Sequence, residues 1–329
     1  MDIAKPYFSI TILCWNSSQT ISTCLEALNV QTAQDFEILL IDNGSTQPLP
    51  KDLFEKFPNL NIQFYALAHN AGFAGGNNFA AKHARGEYLV LLNADAFPKR
   101  DWLENIRAGI KKYPQSFIAC KQIMADHPER LDGAGDVYHV SGLAWRKAFN
   151  TLISHASDRE GEVFSACGAA AAYPSDAFHH VNGFDEDYFS YIEDVDLSFR
   201  LRSLGYKCVY LPDAVVYHVG SGSTGRRSDL AVYYGQRNLV WTFVKDMPGI
   251  SMWLFAPLHV LTNLLQLVLA VFRRQGKVTL KAKLDAVRGL TEVLRKRKEI
   301  QRSRSVSAYS LLREMDWNPL SPIIKLIHK

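Results

Sequence analysis

From residue 7 to about 125 the apolar positions keep changing their period. Short β-branched and aliphatic runs at 7–13, 36–41, 61–66 and 87–92 predict strands, while the segments between them carry apolar residues at helical spacing. Ile21, Leu25 and Leu28 fall on one face of a helix expected over 17–31, with Asn16 or Ser17 as N-cap. Further helices are expected near 53–57, over 76–84, and over 101–113, the last opened by Pro98 and Asp101. Strands separated by helices imply right-handed crossovers, hence an α/β fold on a mainly parallel sheet. Residues 126–192 are irregular and rich in Gly, Asp and aromatics, and predict hairpins and loops that extend this sheet. A helix over 194–204 ending at Gly205, a strand at 207–210 and an aromatic-rich helix over 228–245 complete the pattern.

The most apolar stretch is 250–272, ISMWLFAPLHVLTNLLQLVLAVF, nearly the ~20 apolar residues needed to cross a bilayer. His259, Asn263 and Gln266 recur at helical spacing along it as a narrow polar stripe. The helix that follows places Leu280, Leu284, Val287, Leu290 and Leu294 on one side and mostly Lys and Arg elsewhere. Such a basic amphipathic pair suits an anionic membrane surface. Packing on the body of the protein or on a second copy in a homo-oligomer, and a true span, are the other readings of this pattern. The expected division is 1–246 for the α/β unit and 247–329 for a C-terminal helical extension.

Composition narrows the class. The 329 residues are 47% apolar and 21% charged, which excludes a disordered, collagenous or low-complexity chain. The formal charge of +4 is unevenly placed. Twelve Lys and Arg lie between 273 and 304 against Asp285, Glu292 and Glu299, so this stretch is strongly basic and the remainder acidic. The basic stretch lacks aromatics that could stack on bases, so no nucleic-acid partner is expected. Five scattered cysteines without a CxxC pair favour neither a disulfide framework nor a zinc cluster, and fit a reducing, cytoplasmic setting. The first apolar run starts after Pro6 and ends at Asn16 with no small-residue cleavage site behind it, as in a strand and not a signal peptide.

In parallel sheets ligands bind at the carboxyl ends of the strands, which directs attention to loops 15–17, 42–46, 69–76 and 93–95. Trp15 and Asn16 offer an aromatic face and an amide for a base. Asp42 offers a carboxylate for a base or ribose hydroxyl. Asn70, Gly72 and Gly75 belong to a glycine-rich turn whose backbone NH groups could meet anionic oxygens. Asn93-Ala94-Asp95 closes the run YLVLL, where an acid suits a hard cation bridging a diphosphate. Glu193, Asp194 and Asp196 open the 194–204 helix, whose dipole favours ionised carboxylates by roughly 0.3–1 kcal/mol and so a general base. His218 precedes a Gly/Ser loop at 220–225 that could close over phosphates, and Arg237 on the next helix could neutralise a diphosphate. Singly, each of these has a plain structural reading as a turn, a cap or a salt bridge.

Taken in order, TILCWNSSQTISTCLEAL, ILLIDNGST, HNAGFAGGNN, YLVLLNADAFP, ACGAAAAYPSDAFHHVNGFDEDYFSYIEDVDLSFRLRSLGY, VYHVGSGST and YYGQRNLVW resemble the family 2 inverting glycosyltransferases of GT-A fold, and within them the rhamnosyltransferase-like branch. The resemblance runs from about residue 7 to 241. It implies a GT-A domain with nucleoside-binding positions at Trp15, Asn16 and Asp42. Asp95 would stand as the last residue of the DxD metal motif, Asp194 as the base with Glu193 beside it, and His218 as a metal ligand. The implied cofactor is Mg²⁺ or Mn²⁺. The implied partners are a nucleoside-diphosphate sugar donor and a saccharide acceptor; the charge and amphipathicity of the C-terminal tail point to a lipid-linked saccharide acceptor at the inner face of the cell membrane. Two departures stand out: Asn93 replaces the first acid of DxD, and Trp15 stands where many relatives carry Tyr. A galactofuranosyl- or other hexosyltransferase, or a non-catalytic nucleotide-sugar-binding subunit, would carry much the same pattern.

Overall fold

The computed structural model describes residues 5–50, 52–156, 158–220 and 228–327. The four N-terminal runs form β1 (Phe8–Cys14), β2 (Phe36–Asp42), β3 (Ile62–Ala66) and β4 (Tyr88–Asn93), parallel and ordered β3-β2-β1-β4. α1 (Ile21–Asn29), α2 (Gly72–Ala81) and α3 (Trp102–Lys112) link or follow them. Beyond β4 the short β5 (Ala96–Pro98) leads to β6 (Ser116–Met124), and β7 (Leu131–Gly133) pairs with β6. β8 (Asp136–Tyr138) and β9 (Ala144–Arg146) form a separate hairpin, and β10 (Gly161–Glu162) lies at the sheet edge. The antiparallel β11 (Ala170–Pro174) then inserts between β4 and β6, and β12 (Lys207–His218) runs parallel to β6.

Alternate side chains along each strand supply two cores. Ile10, Ile12, Ile38, Leu40, Val90 and Leu92 face α1 and α3. Leu89, Leu91, Phe117, Ala171 and Tyr173 face α2, α4 (Ser175–His180) and α5 (Glu193–Ser203). Both faces are thereby sealed, as a parallel sheet requires, and only the strand ends remain for function.

Several boundaries differ from expectation for local reasons. α1 starts at Ile21 because Asn16 is left-handed at φ 54° and 17–20 closes a turn through Thr20 N–H to the Ser17 carbonyl. α2 starts four residues early, at Gly72, so most of the glycine-rich segment is helix. A Cβ on Gly76 would lie 2.3 Å from a Leu13 methyl, so these glycines let α2 sit directly against β1. Residues 52–56 make turns and no helix. β12 continues far past Tyr210 through an irregularity between Leu211 and Val215, where Pro212 has no N–H to pair.

At the C-terminal side α6 (Asp229–Asp246), α7 (Ser251–Phe272), α8 (Gly276–Arg288), α9 (Leu290–Ser303), α10 (Ala308–Leu312) and α11 (Ser321–Ile327) follow. α8 and α9 pack on α6, and α7 on α8. The polar stripe of α7 faces the protein: His259, Thr262 and Gln266 are buried, while Trp253, Leu254, Leu261, Leu264 and Val268 are exposed. His259 Nδ1 contacts the Ser141 carbonyl at 2.8 Å, and its ring stacks on Phe243 with centroids 3.9 Å apart. By length and composition α7 could cross a membrane, but one of its faces is docked on the protein.

Candidate active site

Leu13 pairs with Asn93 and Cys14 with Asp42, so the carboxyl ends of β1, β2 and β4 are level and their loops open onto one cleft of about 630 Å³. Asp95, Asp194 and His218 all line it, although they lie far apart along the chain.

Sheet register explains the first pairing. β5 runs antiparallel to the end of β12 with Ala96 opposite His218, and Val219 N–H donates to the Asp95 carbonyl at 3.0 Å. Asp95 Oδ1 therefore stands 3.4 Å from His218 Nε2, with Asn93 Nδ2 also at 3.4 Å from that nitrogen. The other ring nitrogen, Nδ1, donates to Asp132 Oδ2 at 2.8 Å. This bond fixes the tautomer and leaves Nε2 toward Asp95, the arrangement that tunes metal-ligating histidines. Burial acts to lower the His218 pKa, but the hydrogen bonds to Asp132 and Asp95 outweigh it, and the net shift is upward. Arg146 Nη1 donates to the same Asp132 oxygen at 2.5 Å.

The second pairing sits at the start of α5. Asp194 Oδ2 accepts from Gly168 N–H at 3.0 Å and Oδ1 from Val195 N–H at 2.8 Å. Burial raises the Asp194 pKa despite those bonds and the nearby Arg146. Desolvation thus opposes the helix N-terminus here, and the net shift of Asp194 is upward. Glu193 is raised further by burial and by the Asp194 charge, and its Oε2 is buried without a hydrogen-bond partner. Asp136, also facing the cleft, is lifted to about 8 by burial and then by Asp194. Asp136 and Asp194 thus compete for protons beside the Arg146 guanidinium, with Glu193 adjoining Asp194, which is the kind of environment that poises a general base.

The nucleoside side is less open than expected. Trp15, Asn16, Asn70 and Gly72 line the cleft. However, Asn16 Oδ1 accepts from Thr46 N–H and Gln47 N–H at 2.9 and 3.1 Å, tying two loops together. The backbone NH groups of the glycine-rich turn are also engaged: Ala71 with Asn43 Oδ1, Gly72 with Asn70 Oδ1, and Ala74 with the Phe189 carbonyl. They form no open anion cradle, contrary to the sequence reading. Asp42 accepts from Ser45 N–H and does not line the cleft, and Gly75 packs against Ala71 behind it. Arg237 lies outside as well, with its guanidinium donating to the Asp187 and Tyr188 carbonyls and stacked 4.0 Å from the Trp241 ring centroid. Of the Gly/Ser loop at 220–225, residues 221–225 lie outside the described residues. Sequence reasoning missed Asn43, Asp132, Asp136 and Arg146. The acids sat in plain view in DGAGD, but nothing local tied them to His218.

Residues 9–181, over half of the chain, match the family described as glycosyl transferase family 2. The chain belongs to that family. Over 257 residues this glycosyltransferase is 27% identical to N-acetylglucosaminyl-diphospho-decaprenol L-rhamnosyltransferase of Mycobacterium tuberculosis, covering 71% of this chain and 82% of that protein. The fold is also that of solved glycosyltransferases. A mannosyltransferase from Pyrobaculum calidifontis, solved with GDP-Man and Mn²⁺, aligns over 96% of this chain and 88% of its own at TM-score 0.55 and 18% identity. GalNAc-T7, solved with UDP, GalNAc and Mn²⁺, aligns over 72% of this chain and 48% of its own at TM-score 0.58 and 17% identity. The expected GT-A architecture and the likeness to rhamnosyltransferases are both borne out. Among the described residues no three His, Cys, Asp or Glu side chains group closely enough to hold a metal unaided.

Proposed function

We propose that this glycosyltransferase moves a hexose, a 6-deoxyhexose such as rhamnose, from a nucleoside diphosphate to a hydroxyl of a saccharide or lipid-linked saccharide, with inversion. The observation that carries the reading is one cleft holding both the Asp95–His218 pair and the Glu193–Asp194 pair, with Glu193 buried and Asp194 half-buried. Asp194, its proton affinity raised by burial, takes the proton from the acceptor hydroxyl as the new glycosidic bond forms and the bond to the diphosphate breaks. General-base catalysis of this kind is worth roughly 10²–10⁴-fold.

Asp95 Oδ1 and His218 Nε2 fit a divalent ion, Mg²⁺ or Mn²⁺, completed by diphosphate oxygens, because such ions take one or two protein ligands plus substrate phosphates. A bound ion of this kind would supply charge neutralisation to the leaving diphosphate. The manganese present in the two solved relatives supports this choice. Trp15 offers the aromatic face for the base.

Residues 1–246 act as the transferase unit and 247–329 as a platform on the inner, anionic face of the cell membrane. The outward apolar face of α7 supports this, as do the exposed Leu280, Leu284 and Val287 of α8 beside Arg273, Arg274, Lys277 and Arg288. Incubation with a panel of nucleotide sugars tests the reading. Acceptor-dependent release of a nucleoside diphosphate, lost in EDTA and restored by Mg²⁺ or Mn²⁺, is expected. Binding without release for every donor would leave a non-catalytic subunit instead, and full activity in EDTA would remove the metal.

A further inference from the structure

The segment that carries the proposed base is bent in a way its own residues disfavour. Phe189, Tyr191 and Ile192 have φ of 62°, 69° and 70°, and none is glycine. The left-handed region crowds any Cβ, and a β-branched side chain such as Ile192 most of all. Such a conformation persists only where its surroundings over-determine it.

One face of α6 does so. Asn238 is fully buried, and its Nδ2 lies 3.0 Å from the Tyr188 carbonyl, 3.0 Å from that of Ser190 and 2.7 Å from that of Tyr191. Its Oδ1 accepts from Arg237 Nε at 2.9 Å, so the amide is locked in orientation. Arg237 Nη2 in turn donates to the Asp187 and Tyr188 carbonyls at 2.6 and 3.2 Å. Tyr234 stacks on Phe189 at 4.9 Å, and Thr242 meets the Tyr188 hydroxyl at 3.0 Å. Positions 234, 237, 238 and 242 follow helical spacing, so a single stripe grips the whole segment. From the opposite side, a Cβ on Gly72 would strike the Phe189 carbonyl at 2.3 Å, and that carbonyl accepts from Ala74 N–H at 3.1 Å.

We infer that Arg237 and Asn238 are positioning residues: they hold loop 187–192 in its left-handed course and thereby aim Glu193 and Asp194 into the cleft. This rests on the transferase reading for its kinetic consequence, but its structural content stands alone. An unbraced loop would relax to negative φ and swing the first turn of α5. A displacement of about 1 Å at a reacting group can cost on the order of a hundredfold in rate.

The test uses the full chain with Asn238→Ala, read by hydrogen exchange at amides 189–195 and by kcat and KM for the donor that supports transfer. Expected are faster exchange confined to that segment, kcat lower by about ten- to a hundredfold, and donor KM near the parent value. Adding Ile192→Gly, which removes the steric cost of the left-handed conformation, should restore part of kcat; a merely packing role for Asn238 gives no such rescue. If Asn238→Ala does not fold, Arg237→Met, which keeps the stem over Trp241 but removes the donors, is read by the same measurements with the same expectations at smaller size. Unchanged exchange and kcat, or a loss wholly in KM with unchanged exchange, would overturn the inference. Absence of transfer in the unmodified chain would instead sink the transferase reading, while exchange in the two variants still decides the clamp.

Discussion

Asp132→Asn is the sharpest single perturbation of the cleft. Asp132 is fully buried, and one of its oxygens receives both His218 Nδ1–H at 2.8 Å and Arg146 Nη1–H at 2.5 Å. Asparagine keeps the volume but removes the charge, and its single carbonyl oxygen must serve two donors while its amide adds donors of its own. The bond that holds His218 Nδ1 protonated and Nε2 turned toward Asp95 is thereby weakened, shared with Arg146 on a neutral acceptor. Loss of such a partner to a metal-ligating histidine typically costs about 10–100-fold in metal affinity, roughly 1.4–2.7 kcal/mol. Titration of Mn²⁺ by electron paramagnetic resonance, with nucleoside diphosphate present, measures it directly.

The pH dependence has a definite sign. With the proposed ion on His218, protons would compete with it as pH falls through the raised His218 pKa of the parent. Removing the Asp132 charge removes one of the causes of that rise, so in the variant proton competition shifts to lower pH while overall affinity is weaker. Mn²⁺ affinity equal to that of the parent, in a variant shown to be folded, would refute the role given to Asp132 and with it the ligand role of His218.

Two further outcomes are expected. Leu264→Glu with Val268→Glu places charges on α7 positions that are already more than half exposed, so thermal stability should change little. Flotation with anionic phospholipid vesicles should be lost, since each of these side chains would contribute roughly 1 kcal/mol on entering lipid; undiminished flotation would remove the platform. Lys283, half-buried between α6 and α7 with Nζ donating to the Gln236 carbonyl and Gln266 Oε1, has its pKa lowered to about 7 by desolvation of its ammonium. The unfolded chain then holds more protons between about pH 7 and the ordinary lysine range near 10.4, so stability should rise with pH across that window and flatten above it. Lys283→Met should abolish the slope, as read by chemical denaturation at several pH values; a slope unchanged by the substitution would contradict that assignment.

The parts of this architecture that local pattern controls were legible in the chain. Strands β1, β2 and β4 follow from apolar runs, and α3 and α5 fall within a residue of expectation because Pro98, Asp101 and Gly205 punctuate them. What lay hidden depends on register and on which groups use up a polar atom. The pairing of Ala96 with His218 brings Asp95 and His218 together, and it follows an irregularity at Pro212 that no periodicity marks. Arg237 looked like a phosphate ligand because its type suits one, yet four backbone carbonyls of a strained loop lie within reach of it and Asn238. The polar stripe of α7 was visible, but whether it faced water or protein was not. Only the packing against Ser141 and Phe243 decides that the apolar side looks outward.

Asp194→Asn, measured in single-turnover transfer alongside equilibrium binding of the donor, reaches the central claim most directly. Loss of about 10²–10⁴-fold in the transfer rate is predicted, with donor affinity retained, since the proposed diphosphate contacts at Asp95 and His218 are not altered. Near-parental turnover in that variant would contradict the account.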